Sequence, residues 1–168
     1  MEANERIIAT LVLPLVVRTN QIVLAKKTKK IGINRRNGTG GRVEDIDLDL
    51  EDCAIREPCE ELGIFGKREG LTKIGIGIFY NQKKEGSIFV VEVHFYTQTM
   101  WSGTPRSSSE MKNPRFYKLN KLPLRQMMPA DRIVIPRMLK GEKLLFEARY
   151  TYRQKKLLWI KIQKVDKF

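Results

Sequence analysis

The segment Ala54–Ile64, AIREPCEELGI, decides how the chain reads. It has helical character, yet Glu57, Glu60 and Glu61 fall at i, i+3 and i+4, so a helix brings all three carboxylates to one face. Like charges so placed repel, and Pro58 sits among them. A solvated helix face explains an ordinary run of acids. It does not explain the spacing Arg-Glu-x-x-Glu-Glu-x-Gly, whose fixed identities arise by chance in roughly one chain of this length in ten thousand.

A hard divalent cation removes the repulsion. Mg²⁺ takes oxygen ligands, keeps several waters and shares its shell with substrate phosphates. Shortly before the acids comes NGTGG (Asn37–Gly41). Glycines let backbone approach phosphate or metal closely, and a glycine carbonyl can complete a metal shell. The basic residues just upstream, from Lys26 to Arg36, can meet the remaining phosphate charge. Acid cluster, glycine loop and basic lip together point to phosphoanhydride chemistry on a metal. Mg²⁺ is the expected cofactor, with Mn²⁺ as an alternative.

Working outward, Ile7–Val17 is apolar and β-branched. It reads as a buried strand and not a signal peptide, because no basic n-region or small-residue cleavage site accompanies it. Thr19–Asn20 marks a turn and Gln21–Lys26 its hairpin partner. Lys27–Gly41 lacks periodicity and reads as a functional loop. Leu50–Leu62 is the acidic helix, stopped by Gly63. Pro58 removes one of its hydrogen bonds and is expected to kink it, with a bulge as the accommodation. Leu71–Tyr80 and Ile88–Thr99 are strands joined through a polar turn, Gly103–Asn113 is a loop, and Arg115–Leu119 is a short strand. Pro129–Leu139 reads as a second helix, and Leu144–Tyr152 with Lys156–Val165 as a closing hairpin. With no repeat or linker in its 168 residues, the chain is expected to form a single mixed α/β domain over 1–168.

No apolar run reaches the roughly 20 residues that span a membrane, so no membrane partner is expected. Cys53 and Cys59 share one helix and make neither a disulfide framework nor a zinc pattern, which fits reduced thiols and a cytoplasmic location. The net charge of +13 attracts polyanions: nucleotides, nucleic acid or an acidic membrane surface. Against that background Glu44–Glu61 holds 9 of the 19 acids, which marks it as the place where positive charge would be bound. His94, the only histidine, alternates with apolar residues and is expected in a sheet, not on a metal. Trp101, Trp159, Tyr150 and Tyr152 are expected as packing aromatics.

GGRVEDIDLDLEDCAIREPCEELGI (Gly40–Ile64) resembles the Nudix box, G-x5-E-x7-R-E-U-x-E-E-x-G-U with U aliphatic. Gly41 matches the leading glycine, and Arg56, Glu57, Glu60, Glu61, Gly63 and Ile64 match the core. Similarity continues through TLVL at Thr10–Leu13, VHFYT at Val93–Thr97, GTP at Gly103–Pro105, Glu110–Met111, and the spacing of Met128, Pro129, Asp131 and Pro136. These stretches are similar to the MutT-like oxidised purine nucleoside triphosphatases, the 8-oxo-dGTP diphosphatase type. The resemblance implies a Nudix fold, a mixed β-sheet sandwiched between helices with the box as loop–helix–loop. It also implies a monomeric enzyme of nucleotide-pool sanitation. Such an enzyme hydrolyses a purine nucleoside triphosphate, oxidised or not, to the monophosphate and pyrophosphate with Mg²⁺.

By the same resemblance Glu57, Glu60, Glu61 and Glu110 would bind the metal, joined by the Gly40 carbonyl, and Arg56 would orient a carboxylate. Glu60, Glu61 or Glu110 would take the proton of the attacking water. Thr10, Lys27, Asn37, Phe79, Met111, Met128 and Asp131 would line the base pocket. Asn37 offers donor and acceptor to a purine edge, and Phe79 and Met128 can cover its face. The chain departs from the pattern at Asp47, which replaces a glutamate and lies one residue further from Arg56, and at Pro58, which replaces an aliphatic residue. Met128 stands where close relatives carry tryptophan, and Ala130 where they carry aspartate. Two other readings stay open. One is a Nudix hydrolase acting on another nucleoside diphosphate-linked substrate. The other is a Nudix-fold module with weakened chemistry that holds nucleic acid.

Overall fold

In the computed structural model, which describes residues 6–168, the first apolar run forms β1 (Arg6–Val16). Asn20 adopts the left-handed conformation, φ 57°, and turns the chain into β2 (Gln21–Lys27), antiparallel to the end of β1. The segment expected as a loop contains two further strands, β3 (Arg36–Asn37) and β4 (Thr39–Arg42). β4 pairs with β1 from Ala9↔Arg42 to Val12↔Thr39. Only glycine tolerates that approach at Gly40, where a β-carbon would fall 1.9 Å from the Thr10 carbonyl oxygen.

α1 (Leu50–Leu62) has the expected bounds. Asp49 caps its first turn by accepting a hydrogen bond from the Asp52 N–H at 2.9 Å. Gly63 ends it at φ 69°, with its N–H donating to the Cys59 carbonyl at 3.1 Å. The helix is continuous through Pro58 and carries no bulge, so the extra residue of the box is taken up in the loop before Leu50.

The remaining elements are β5 (Phe65–Gly66), β6 (Leu71–Gln82), β7 (Ile88–Gln98), β8 (Trp101–Ser102), β9 (Met111–Lys118), α2 (Asp131–Leu139), β10 (Lys143–Tyr150) and β11 (Leu157–Val165). Strands run in the order β11-β10-β6-β7-β1-β2-β3, with β4 also on β1 and β9 on β2. β1 is parallel to β7, and β6 to β10, while the other pairs are antiparallel, so the sheet is mixed.

Alternation along β1 sorts the core into layers. Leu11 and Leu13 join Phe95 and Phe146 against Val134, Ile135 and Met138 of α2. Val12, between them, packs with Tyr96 against Ala54 of α1. The sheet is thus sandwiched between the helices, and each fully buried leucine or phenylalanine in it contributes about 1.5–3 kcal/mol. A further cluster of Val23, Ala25, Leu62, Ile64 and Met111 fastens the end of α1 to β2 and β9.

His94 is buried in β7 with its Nε2 3.7 Å from Glu92, as a sheet histidine. Trp101 packs beside the Met111 cluster and donates its indole N–H to the Leu15 carbonyl at 3.1 Å. Cys53 and Cys59 are both free thiols. Among the described residues no helix is long and apolar enough to cross a membrane.

Candidate active site

Helical spacing divides the acids of α1 between two tasks. Arg56 reaches Glu60 one turn on, at 3.1 Å, and Glu57 beside it, also at 3.1 Å. The same guanidinium donates twice to Asp47, at 2.8 Å from Nε and 2.8 Å from Nη2. This fork holds the Asp47 carboxyl below the usual carboxylate range. The shorter acid therefore still reaches the arginine from its displaced position in the loop.

Glu57 and Glu61 form the other pair at i, i+4, and both are buried, at 7% and 2% exposure. Glu61 Oε1 accepts from the Thr39 hydroxyl at 2.8 Å and the Gly40 N–H at 2.7 Å. Desolvation outweighs both bonds and pushes the Glu61 pKa up to about 7. Burial also raises Glu57; repulsion from Glu60 and Glu110 adds to it, and Arg56 opposes it.

Glu110 comes from the loop ahead of β9. Its N–H donates to Ser108 Oγ at 3.2 Å, and its carbonyl accepts the Thr28 N–H at 3.1 Å. Carboxylate oxygens of Glu57, Glu61 and Glu110 lie within 4.8 Å of one another. Glu60 stands outside that trio, exposed and tied to Arg56, although it lines the same cavity. An all-oxygen donor set of desolvated acids suits a hard divalent cation. Gly41 reserves the space: a β-carbon there would lie 2.5 Å from Glu57 Oε1.

A cavity of about 470 Å³ opens from this cluster. Gly40, Glu57, Glu60, Glu61 and Glu110 line its acidic end, and Lys27 and Lys30 also reach it. Elsewhere its wall carries Phe79, Met128, Tyr150, Asn37 and Asp131. Phe79 stacks on Tyr150, with centroids 6.2 Å apart and planes 8° from parallel. The Tyr150 hydroxyl accepts the Ala130 N–H at 2.8 Å. Asn37 spends its Oδ1 on the Gly38 N–H at 2.8 Å. Asp131 is buried with no side-chain partner among the described residues, and burial pushes its pKa up to about 7. Thr10 also lines the cavity, with its hydroxyl 3.2 Å from Cys53 Sγ, and burial pushes that thiol up to about 11.

Thr10, Lys27, Asn37, Phe79, Met128 and Asp131 therefore all reach the cavity. Met111 does not. It is fully buried among Val23, Ala25, Leu62 and Ile64, because neighbours at the start of a strand alternate and Glu110 takes the cavity side. Sequence reasoning missed Tyr150 and Asn81, which also line the cavity. The signal for Asn81 is its position two residues after Phe79 on one strand. Tyr150 joins only through the pairing of β10 with β6, where Tyr150 lies opposite Asn81.

The NUDIX domain family model matches residues 5–138. The chain is 30% identical over 156 residues to the oxidized purine nucleoside triphosphate hydrolase of Mus musculus, spanning 93% of this chain and 95% of that one. It is 33% identical over 137 residues to the protein of the same name from Danio rerio, spanning 80% and 82%. The solved MutT protein from Bacillus halodurans shares the fold with a TM-score of 0.75 at 20% identity, over 94% and 97% of the two chains. The MutT NUDIX hydrolase from Burkholderia pseudomallei does so with a TM-score of 0.64 at 22% identity, over 82% and 98%. With its glycine, arginine and glutamates assembled as loop–helix–loop, the chain belongs to the NUDIX family of hydrolases.

Proposed function

We propose that this enzyme, acting as one domain over 1–168, hydrolyses purine nucleoside triphosphates, with oxidised purines among its preferred substrates. The products are the nucleoside monophosphate and pyrophosphate. One observation carries the reading: Glu57, Glu61 and Glu110 converge at the acidic end of a cavity whose wall also carries an aromatic face and the polar groups of Asn37 and Asp131. A volume of about 470 Å³ suits a small ligand of nucleotide size. The names of the mouse and zebrafish relatives support the same substrate class.

Glu57, Glu61 and Glu110 would hold Mg²⁺, or Mn²⁺ in its place, with Glu60 on the solvent side and the Gly40 carbonyl beside them. Bound there, the cation supplies charge neutralisation at the phosphate oxygens and acidifies water. The chain's own residues do the rest. Arg56 fixes Glu57 and Glu60, while Lys27 and Lys30 meet phosphate charge. Glu61 Oε2 has no partner among the described residues, so Glu61 and Glu110 are the carboxylates placed to accept the proton of the attacking water. Phe79 and Met128 cover the base, and Asn37 and Asp131 meet its edge. The departures at Asp47 and Pro58 leave this cluster assembled, which supports an active enzyme over a weakened binding module.

The test is a panel of normal and oxidised nucleoside triphosphates assayed for pyrophosphate release with Mg²⁺. Hydrolysis with a higher kcat/KM for the oxidised purines is the expected result. If the protein hydrolyses none of these and no other diphosphate linked to a nucleoside, the reading fails.

A further inference from the structure

Asn81 follows Phe79 by two residues on β6, so its side chain shares that face, and it lines the cavity at 1% exposure. Its hydrogen bonds fix which way the amide points. The Phe79 carbonyl can only accept, so the atom 3.2 Å from it is the donating Nδ2. Oδ1 therefore faces Gln154, whose Nε2 donates to it at 3.3 Å. An amide nitrogen carries two N–H groups, and the second of Asn81 has no partner among the described residues.

The turn that delivers Gln154 is built with strain. It joins β10 to β11 and is closed by the Thr151 N–H to the Lys156 carbonyl at 3.0 Å and the Lys156 N–H to the Thr151 hydroxyl at 3.0 Å. Inside it Arg153 and Gln154 both occupy the left-handed region, at φ 57° and 54°, and neither is glycine. Consecutive side-chain-bearing residues in that region are held there only by their surroundings. The side chain that this turn positions is the buried Gln154, bonded to Asn81.

We infer that Asn81 is a specificity-determining residue of the base pocket. Its remaining N–H donates to an acceptor atom on the base lying along Phe79, either a carbonyl oxygen or an unprotonated ring nitrogen. Gln154 is the positioning residue that holds the amide in that orientation. The inference rests on the nucleotide hydrolase reading above. A base that presents N–H at the same place meets a second donor and is rejected.

The experiment measures kcat and KM on pairs of purine nucleoside triphosphates that differ in the acceptors on one edge of the base. Ring nitrogen against 7-deaza removes one acceptor alone, whereas 6-oxo against 6-unsubstituted and 8-oxo against the unoxidised parent each add a carbonyl and turn the neighbouring ring nitrogen into an N–H donor. Wild type is expected to prefer the acceptor-bearing member of at least one pair by about 10- to 100-fold in kcat/KM. Asn81→Leu keeps the branched shape, removes the amide and should abolish that preference, mainly through KM. Gln154→Met should reduce it in the same direction. A merely structural pair would change stability and leave the ratio alone. The inference is overturned if wild type shows no such preference, or if the preference survives in both variants. If Asn81→Leu does not fold, Gln154→Met decides. A wild type that hydrolyses no member of any pair overturns the functional reading as well, whereas an active enzyme indifferent to Asn81 overturns the inference alone.

Discussion

Asp131 can be tested in numbers. The residue is 4% exposed, and its carboxyl has neither a hydrogen-bond nor an ion-pair partner among the described residues. As the first residue of α2 it gains from the helix N-terminus, which favours an anion by about 0.3–1 kcal/mol. Desolvation is the larger effect and lifts the pKa from 3.8 to about 7. The folded state therefore binds this proton more tightly than the unfolded chain does. The stabilisation that results is fully present below about pH 4 and is lost as pH rises through about 7. A gap of about three pH units at about 1.4 kcal/mol each gives a loss of about 4 kcal/mol once the acid ionises. Asp131→Asn keeps the shape and cannot ionise. Urea denaturation of both proteins from about pH 4 to about pH 8 should show the variant gaining on wild type by up to about 4 kcal/mol, with the change centred between those limits. A stability difference that stays constant across the range would refute the claim that this acid is buried without compensation.

Three further substitutions probe the site and its helix. Gly41→Ala places a methyl group 2.5 Å from Glu57 Oε1, so the carboxylate must move; kcat should fall by about tenfold or more with the circular dichroism unchanged, and undiminished turnover would show that Glu57 is not needed where it stands. Arg56→Ala removes the fork from Asp47, whose side chain is 2% exposed and keeps the Glu44 N–H at 2.9 Å. It should cost about 1–3 kcal/mol in denaturant titrations above about pH 4, and less as acid protonates Asp47; an unaffected midpoint at neutral pH contradicts the linking role of Arg56. Pro58→Ala restores a helix N–H, worth about 3 kcal/mol, and gives up about two methylenes of buried contact, about 1.6 kcal/mol. The net gain should be about 1 kcal/mol by thermal or urea unfolding, and a destabilised variant would mean that packing at the proline outweighs the missing hydrogen bond.

The helix was the most legible part of the chain. Gly63 and the acid spacing lie within the helix and its C-terminal cap, so local chemistry alone set bounds that the structure repeats. The hairpins of β6 with β7 and β10 with β11 were legible for the same reason. β3 and β4 were not, because glycine-rich residues form strands there only by pairing with distant β1 and β2. The candidate site divides in the same way. Spacing grouped the three glutamates of α1, but it could not show that Arg56 draws Glu60 away while Glu57 and Glu61 turn inward toward Glu110. Met111 was misplaced because a one-residue step at the start of β9 reverses the facing of a side chain. Pro58 suggested a bulged helix because the missing N–H is a local signal, whereas the packing that keeps α1 continuous comes from β1, β2 and β9.

The central claim is that Glu57, Glu61 and Glu110 form the metal site. Mn²⁺ binding followed by electron paramagnetic resonance reads that site without relying on turnover. Wild type should bind Mn²⁺ at a site from which Mg²⁺ displaces it, and Glu57→Gln and Glu61→Gln should each weaken that binding by about tenfold or more. Binding by both variants as tight as that of wild type would contradict the account.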